Sequence, residues 1–467
     1  MTTPIVVVQV SQQVAPTPSD LQKTGALISQ GGTTLAAKAD TLLTQLSDLT
    51  ALLTPPQALL SLTWAGGTVT AVTVAPHGYV TGQSILLIIA GATPAGYNGT
   101  YLCTITAGNS FTYPLAVNPG AETVPGTVVS QSVNELVQMA TTFFSQGNSQ
   151  SVYVLELGAV DNAHALTNLS DFITASTPQF FYSYLVPRSW DNDSNFMSLL
   201  ATFEAPTKKT YFFITTLPAT YANYTTAMKC ARTLIEASAA PVNPVTLPAT
   251  EFSMAAVFYW SLNPGPSATN KVPPFNFTFV FGVTPFPQKG NAAFLTTIQA
   301  AGVNRIATGA EGGISNTIVV PGQGMDKRDI SYWYSVDWVQ INIQLDIVNA
   351  IINGSNDPTN PLYYNQTGID RLQAVAARTM GNGITFGLVL NPIAQSELDG
   401  PDFTKAEDAG QFLGRTVINA GPFINYVQEN PGDFKIGKYG GFAIVYTPNR
   451  GFTQIILNVV VTDFAAA

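Results

Sequence analysis

The nearest approach to a chemical signature in the 467 residues is Gly432-Asp-Phe-Lys-Ile-Gly-Lys438, which keeps the glycine and lysine spacing of a phosphate-cradling loop. Tyr439 stands where a Ser or Thr must hold Mg²⁺, a Pro turn precedes the stretch and a strand is expected after it, so no helix N-terminus faces a phosphate. It reads as a hairpin turn. Asp191-Asn-Asp-Ser-Asn195 opens like a calcium loop, but Phe196 takes the position of the turning Gly and Thr202 that of the bidentate Glu. That cluster reads as a helix N-cap. The acidic run Glu397-Leu-Asp-Gly-Pro-Asp402, with Glu407 and Asp408, holds enough carboxylates for an acid–base pair, yet its Gly-Pro content marks a solvated loop. Tyr332-Trp-Tyr334 and Trp338 could stack sugars, and equally form core.

His77 and His164 are the only histidines, so a multi-histidine metal site is not expected, and no Cys/His ligand spacing appears. His77 lies in a Pro-His-Gly turn and His164 at a loop or helix start, where solvated or capping roles are expected. No Gly-x-Ser-x-Gly elbow is present. The expectation is therefore no enzyme, no cofactor and no metal.

Charged residues are only 10% of the chain against 46% hydrophobic, which predicts a surface that lies largely against other protein. Nineteen Lys and Arg against 28 Asp and Glu give a net charge of −9, which argues against nucleic acid as a partner. The N-terminus lacks the basic residues of a signal peptide and no apolar run reaches membrane-spanning length, so no membrane insertion is expected. Cys103 and Cys230 lie far apart, which fits a reduced cytoplasmic origin better than a disulfide scaffold.

The elements that would carry such a chain follow from its periodicity. Gly25 to Thr33 reads as a short apolar strand ending in a Gly turn, followed by a helix with Leu42, Leu43, Leu46, Leu49 and Leu53 on one stripe and a stop at Thr54-Pro-Pro56. From Ser61 to Ser130 Thr, Val and Gly dominate and Glu122 is the only charged residue, the pattern of a small inserted β module. Beyond it, helix Val133–Phe144, strand Val152–Leu157, helix Leu166–Ile173, strand Phe180–Val186, helix Asn195–Phe203 and strand Tyr211–Thr215 alternate as an α/β layer. Phe252–Trp260 and Phe275–Phe281 are expected as aromatic strands. Asp337–Asn353 favours helix, Thr367-Gly-Ile-Asp370 opens the next helix and Gly381 closes it. Strands at Ile384–Leu390, Phe423–Gln428 and Phe442–Thr447 then form a meander with the last strand.

Both ends are adhesive. Ile5-Val-Val-Val-Gln-Val10 is β-branched, and Ile455, Leu457, Val459 and Val461 share one face of the terminal strand, so each needs a sheet to join, its own or a neighbour's. The expected fold class is thus multidomain α/β and α+β. Residues 1–22 form an N-terminal arm, 23–60 and 131–330 an α/β core, 61–130 an inserted small all-β domain, 331–450 a C-terminal α+β domain with β meander, and 451–467 a C-terminal arm.

Four stretches together resemble the contractile tail sheath proteins of myovirus-type bacteriophages: Glu135–Gly147 leading into Val152-Tyr-Val-Leu, Asp337–Asn353, Tyr364–Leu372, and Gly440-Gly-Phe-Ala-Ile-Val-Tyr through the terminal strand. The insert, with Pro76–Gly82 and Tyr97–Tyr101, is similar to a small β domain that recurs in phage virion proteins and departs from the plainest sheath pattern. The resemblance implies a virion structural protein assembled in the host bacterial cytoplasm, its hexameric rings stacked helically around a tail tube protein and bounded by baseplate and tail terminator proteins. Exchanged strands would tie neighbours together, here Ile5, Val6, Val7, Val8 and Val10 at one end and Ile455, Leu457, Val459 and Val461 at the other. The C-terminal domain would face the tube, with Asp370, Arg371 and Arg378 as candidate contacts. A baseplate or tube-capping protein, or a glycan-binding virion protein using the insert, are the alternatives.

Overall fold

The computed structural model describes residues 21–147, 149–175, 179–203, 209–217, 220–227, 233–237, 251–262, 265–286, 292–308, 316–390, 417–449 and 451. The terminal runs Ile5–Val10 and Ile455–Val461, the acidic stretch from Glu397 to Asp408 and Cys230 lie outside these residues. The chain divides into two compact units, one built mainly from residues 21–265 and 273–330, the other from 266–272 and 331–449.

The larger unit is layered around a six-stranded sheet. Strands β1 (Gly25–Ser29), β9 (Val152–Glu156), β10 (Ser183–Leu185), β11 (Tyr211–Thr216) and β12 (Thr233–Ala237) are parallel, in the order β12-β11-β10-β1-β9, and β2 (Asp40–Leu43) closes the edge antiparallel to β9. All residues of β1 and β11 are buried, because helices cover both faces of a parallel sheet and the strands read as unbroken apolar runs rather than alternating ones. Helix α2 (Gln131–Ser145) turns Leu136, Met139, Ala140 and Phe143 inward, a stripe at helical spacing. Phe143 meets the edge of Tyr259 at 5.0 Å. Helices α3 (Asn162–Ala175), α4 (Ser194–Phe203), α5 (Tyr221–Ala227) and α7 (Ala292–Ala300) pack on a separate cluster, which holds Trp190, Phe196 and Phe212.

The insert is a closed barrel, β3 (Gln57–Ala65), β4 (Thr68–Thr73), β7 (Ser110–Pro114), β6 (Gly99–Ala107), β5 (Ser84–Ala90) and β8 (Thr127–Ser130) in spatial order. It begins at Gln57, four residues before the composition shift that marks it in the sequence. Alternation fills it: Val69 and Ala71, Ile85, Leu87 and Ile89, Phe111 and Tyr113 all point inward. Gly126 has φ +79° where β8 starts, and a Cβ there would collide with the backbone of Ala90 and Ala92; only glycine fits that crossing. The one charge of the barrel, Glu122, accepts a hydrogen bond from the Leu62 amide at 2.9 Å.

Several expected elements differ. Phe252–Trp260 is not a strand but helix α6 (Ser253–Ser261), buried on nearly every side, so its sequence shows no amphipathic period and imitates a buried strand. Phe275–Phe281 is not a regular strand, because Phe277 sits at φ +67° and breaks the extended path; it runs beside β14 (Thr317–Val320), itself paired with β13 (Arg305–Thr308), with the Phe277 and Val280 amides donating to the Val319 and Thr317 carbonyls. Of the predicted leucine helix, Leu42 and Leu43 belong to β2, whose backbone completes the edge of β9, and only Leu46–Thr50 is helical (α1).

In the smaller unit helix α8 (Ile330–Ser355) covers the expected Asp337–Asn353, and α9 (Gln366–Thr385) begins where Asn365 caps Gly368. Gly381 does not end α9. The helix runs on to Thr385 and stops where Gly387 turns left-handed, φ +76°, with the Leu388 amide donating back to Gly383. Ile384–Leu390 is therefore helix end and turn, with one bridge from Val389 to Pro448. Phe423–Gln428 is helix α10 (Phe423–Glu429), not a strand. The meander reduces to one antiparallel pair, β15 (Val417–Ala420) with β16 (Phe442–Val445).

Candidate functional site

In an open parallel sheet, ligands gather outside the carboxyl ends of the strands where neighbouring connections diverge. Here that point lies beside β1, since the chain passes from β9 over β1 to β10. The loop after β1, Gln30-Gly-Gly-Thr33, has the glycines of an anion-binding turn, but a carboxylate of the chain itself fills it. Glu156, 1% exposed, accepts from Ser29 Oγ (2.7 Å), the Gly31 amide (2.6 Å), the Thr33 amide (3.0 Å), Thr33 Oγ1 (2.7 Å) and the Gly158 amide (2.7 Å). The N–H groups that would hold a phosphate are already satisfied.

Next to this cradle a cleft of about 490 Å³ opens between the sheet and the barrel. Asp161, Asn162 and Pro187 form the sheet side, Ile85, Leu86 and Leu102 the barrel side, and the first turns of α2 the floor. Ser130 ends the barrel and caps α2, accepting from the Ser132 amide, so barrel and helix share one residue with no linker. Gln83 of the barrel accepts from the Asp161 amide at 2.9 Å and lies 3.2 Å from His164 Nδ1, which is itself 2.7 Å from Asp161 Oδ1.

Glu135 lies in the floor, 2% exposed. Burial pushes its carboxyl up to about 7, although the Arg188 guanidinium and hydrogen bonds from Ser189 and Arg188 pull the other way. Its Oε1 has no hydrogen-bond partner among the described residues. The folded state thus holds this proton more tightly than the unfolded chain. The associated stability is complete below the ordinary value of 4.5 and lost as pH rises through about 7, amounting to about 3 kcal/mol. Glu135→Gln should accordingly flatten the urea-midpoint profile of the larger unit between pH 5 and pH 7.5. An unchanged slope would show that some other group governs it.

Among the sequence-predicted residues, Asp193 Oδ1 caps α4 by accepting from the Asn195 and Phe196 amides, as an N-cap cluster should. The phosphate-loop lookalike is not a hairpin turn: Pro431–Lys435 is a short helix, α11, because Asn430 accepts the following amides and Asp433 is tied to Tyr426 Oη at 2.6 Å. His77 is buried, not solvated; its Nδ1 accepts from the Tyr79 amide and its ring stacks on Tyr79 at 4.9 Å. Cys103 is a buried free thiol whose pKa burial raises. Tyr334 and Trp338 are buried, with Trp338 against Phe386. Asp370 and Arg378 lie exposed on α9; Arg371 donates to the carbonyls of Asn360 (3.1 Å) and Pro361 (3.2 Å), holding the turn between α8 and α9. Tyr364, in a stretch that carries the family resemblance, stacks on Phe434 and meets the edge of Phe423, fastening α9 to α10 and α11. The role of Glu135 was not read from the sequence. Its signal is a carboxylate on the buried stripe of an amphipathic helix, in register with Met139 and Thr142.

No family model and no curated protein sequence matches the chain. Among solved structures, the chain is similar to one from the cryo-EM structure of the anti-feeding prophage (AFP) baseplate in contracted state, at 12% identity and a TM-score of 0.44, over 99% of this chain and 98% of that one.

Proposed function

We propose that the chain is a structural subunit of a contractile phage-type tail, and within that class the sheath protein. The observation that carries the reading is the pair β15–β16. These two strands of four residues rest on α9, where Gln373 donates to the Ile418 carbonyl, and among the described residues neither strand has a second partner, so both edges of the pair are open to a further strand. The chain also carries two β-branched terminal runs in search of a sheet, Ile5–Val10 and Ile455–Val461. Supply and demand match if each arm joins the β15–β16 pair of a neighbouring copy.

The charge-poor composition supports extensive contact with other copies. The partners are then further copies in stacked hexameric rings, the tail tube, and the baseplate and terminator at the two ends, with assembly in the host cytoplasm and residence in the virion. Contraction would draw on a free-energy difference between two packings of the same subunits, a few kcal/mol per subunit, with no nucleotide required. The glycan-binding alternative gains nothing from the barrel, whose Tyr79, Tyr97, Phe111 and Tyr113 are buried as core rather than displayed as a stacking platform.

Negative-stain electron microscopy of the purified chain tests the reading. Long hollow tubes of uniform diameter are expected. Closed discs would move the chain to a baseplate or tube-capping role, and sugar-binding monomers would overturn the structural reading.

A further inference from the structure

The cleft between sheet and barrel has the chemistry of a binding site that tail assembly does not require. Its charged lining residues are two acids, Glu135 and Asp161. Arg188 acts on Glu135 by its charge and its backbone amide, while its guanidinium lies 4.4 Å over the Phe252 ring and donates to the Glu251 carbonyl at 3.0 Å. Glu135 Oε1 is buried in the floor without a hydrogen-bond partner among the described residues, a costly state that a donor from a ligand would relieve. The barrel wall above it is apolar, with Leu86 half-buried and Leu102 56% exposed. The volume of about 490 Å³ suits a small molecule or one long side chain.

We propose that this cleft binds a protonated primary amine on an apolar stem, its ammonium on Glu135 Oε1 and its stem along Leu86 and Leu102. A metal ion fits less well, because no group of three or more His, Cys, Asp or Glu ligands occurs among the described residues. A guanidinium fits less well too, since its planar fork seeks two carboxylate oxygens and only one is open, whereas an ammonium is a compact point charge. The shared chemistry admits two sources, a lysine side chain of a polypeptide or a free alkylamine. This inference stands apart from the sheath reading.

Isothermal titration calorimetry of the full chain at pH 8 with n-pentylammonium tests it, with pentan-1-ol as the uncharged counterpart. The amine is expected to bind at least about tenfold tighter than the alcohol, and Glu135→Gln to remove about tenfold of that affinity. Leu102→Ala, on the exposed rim, should weaken pentylammonium about fivefold and leave methylammonium unchanged. It covers the case in which the floor variant does not fold. A capped lysine amide binding tighter than pentylammonium assigns the site to a polypeptide; the reverse order assigns it to a free amine. Equal binding of amine and alcohol, or full affinity in Glu135→Gln, would overturn the proposal.

Discussion

Removing Met1–Val10, or separately Gly451–Ala467, is expected to leave soluble, folded subunits that no longer form tubes. The effect should be all or none. One added strand of about six residues brings on the order of six backbone hydrogen bonds, each worth about 1 kcal/mol net. The burial of several Val or Ile side chains adds about 1.5–3 kcal/mol apiece before ordering costs. The larger unit keeps its core without these segments, because among the described residues the buried clusters of its sheet and barrel draw on positions between Ala26 and Met325. Thermal melting should therefore move little while electron microscopy loses the tubes. Mixing the two truncated chains sharpens the test, since each retains the arm that the other lacks; expected products are short or capped oligomers, not full-length tubes. Normal tubes from both truncations refute strand exchange between copies.

Glu156→Ala is expected to be among the most destabilising single changes in the larger unit, by about 3–5 kcal/mol. The carboxylate gathers five donors from β1, the Gly31–Thr33 turn and Gly158, and its loss leaves three buried amides and two hydroxyls competing for acceptors that the core cannot supply. Glu156→Gln keeps the shape but turns an acceptor oxygen into a donor facing donors, so about 2 kcal/mol or more should be lost there also. Urea denaturation followed through the buried Trp190 reports on this unit. A loss below about 1 kcal/mol in Glu156→Ala would mean that the turn is held by its backbone alone. Because the cradle borders the cleft, Glu156→Ala should also loosen the Gln30 side chain, which bridges Val160, Asn162 and Trp190.

Much of the architecture was legible wherever one local period ruled. The alternation of apolar residues in the barrel, the stripe of α2, the unbroken apolar run of β11 and the Asp193 cap each follow from side-chain geometry within a few residues. The poverty of charge and the adhesive ends are likewise properties of composition and order, readable without coordinates.

Tertiary context decided the rest. An apolar run buried on all sides has no period to reveal it, so α6 passed for a strand until its packing against α2 was known. Leu42 and Leu43 keep helical spacing with Leu46 and Leu49, but the open edge of β9 offered backbone partners that a solvent-facing helix turn does not. Gly381 looks like a helix stop, yet the left-handed turn that ends α9 is made six residues later by Gly387. The candidate site belongs wholly to this second class. Gln30, Leu102, Glu135 and Asp161 lie far apart along the chain, and only the crossover of the sheet beside β1 and the seating of the barrel on α2 bring them to one cleft. Sequence sets what each residue can do with its neighbours; which distant acid loses its solvent, and which apolar wall faces it, is fixed by how the layers close.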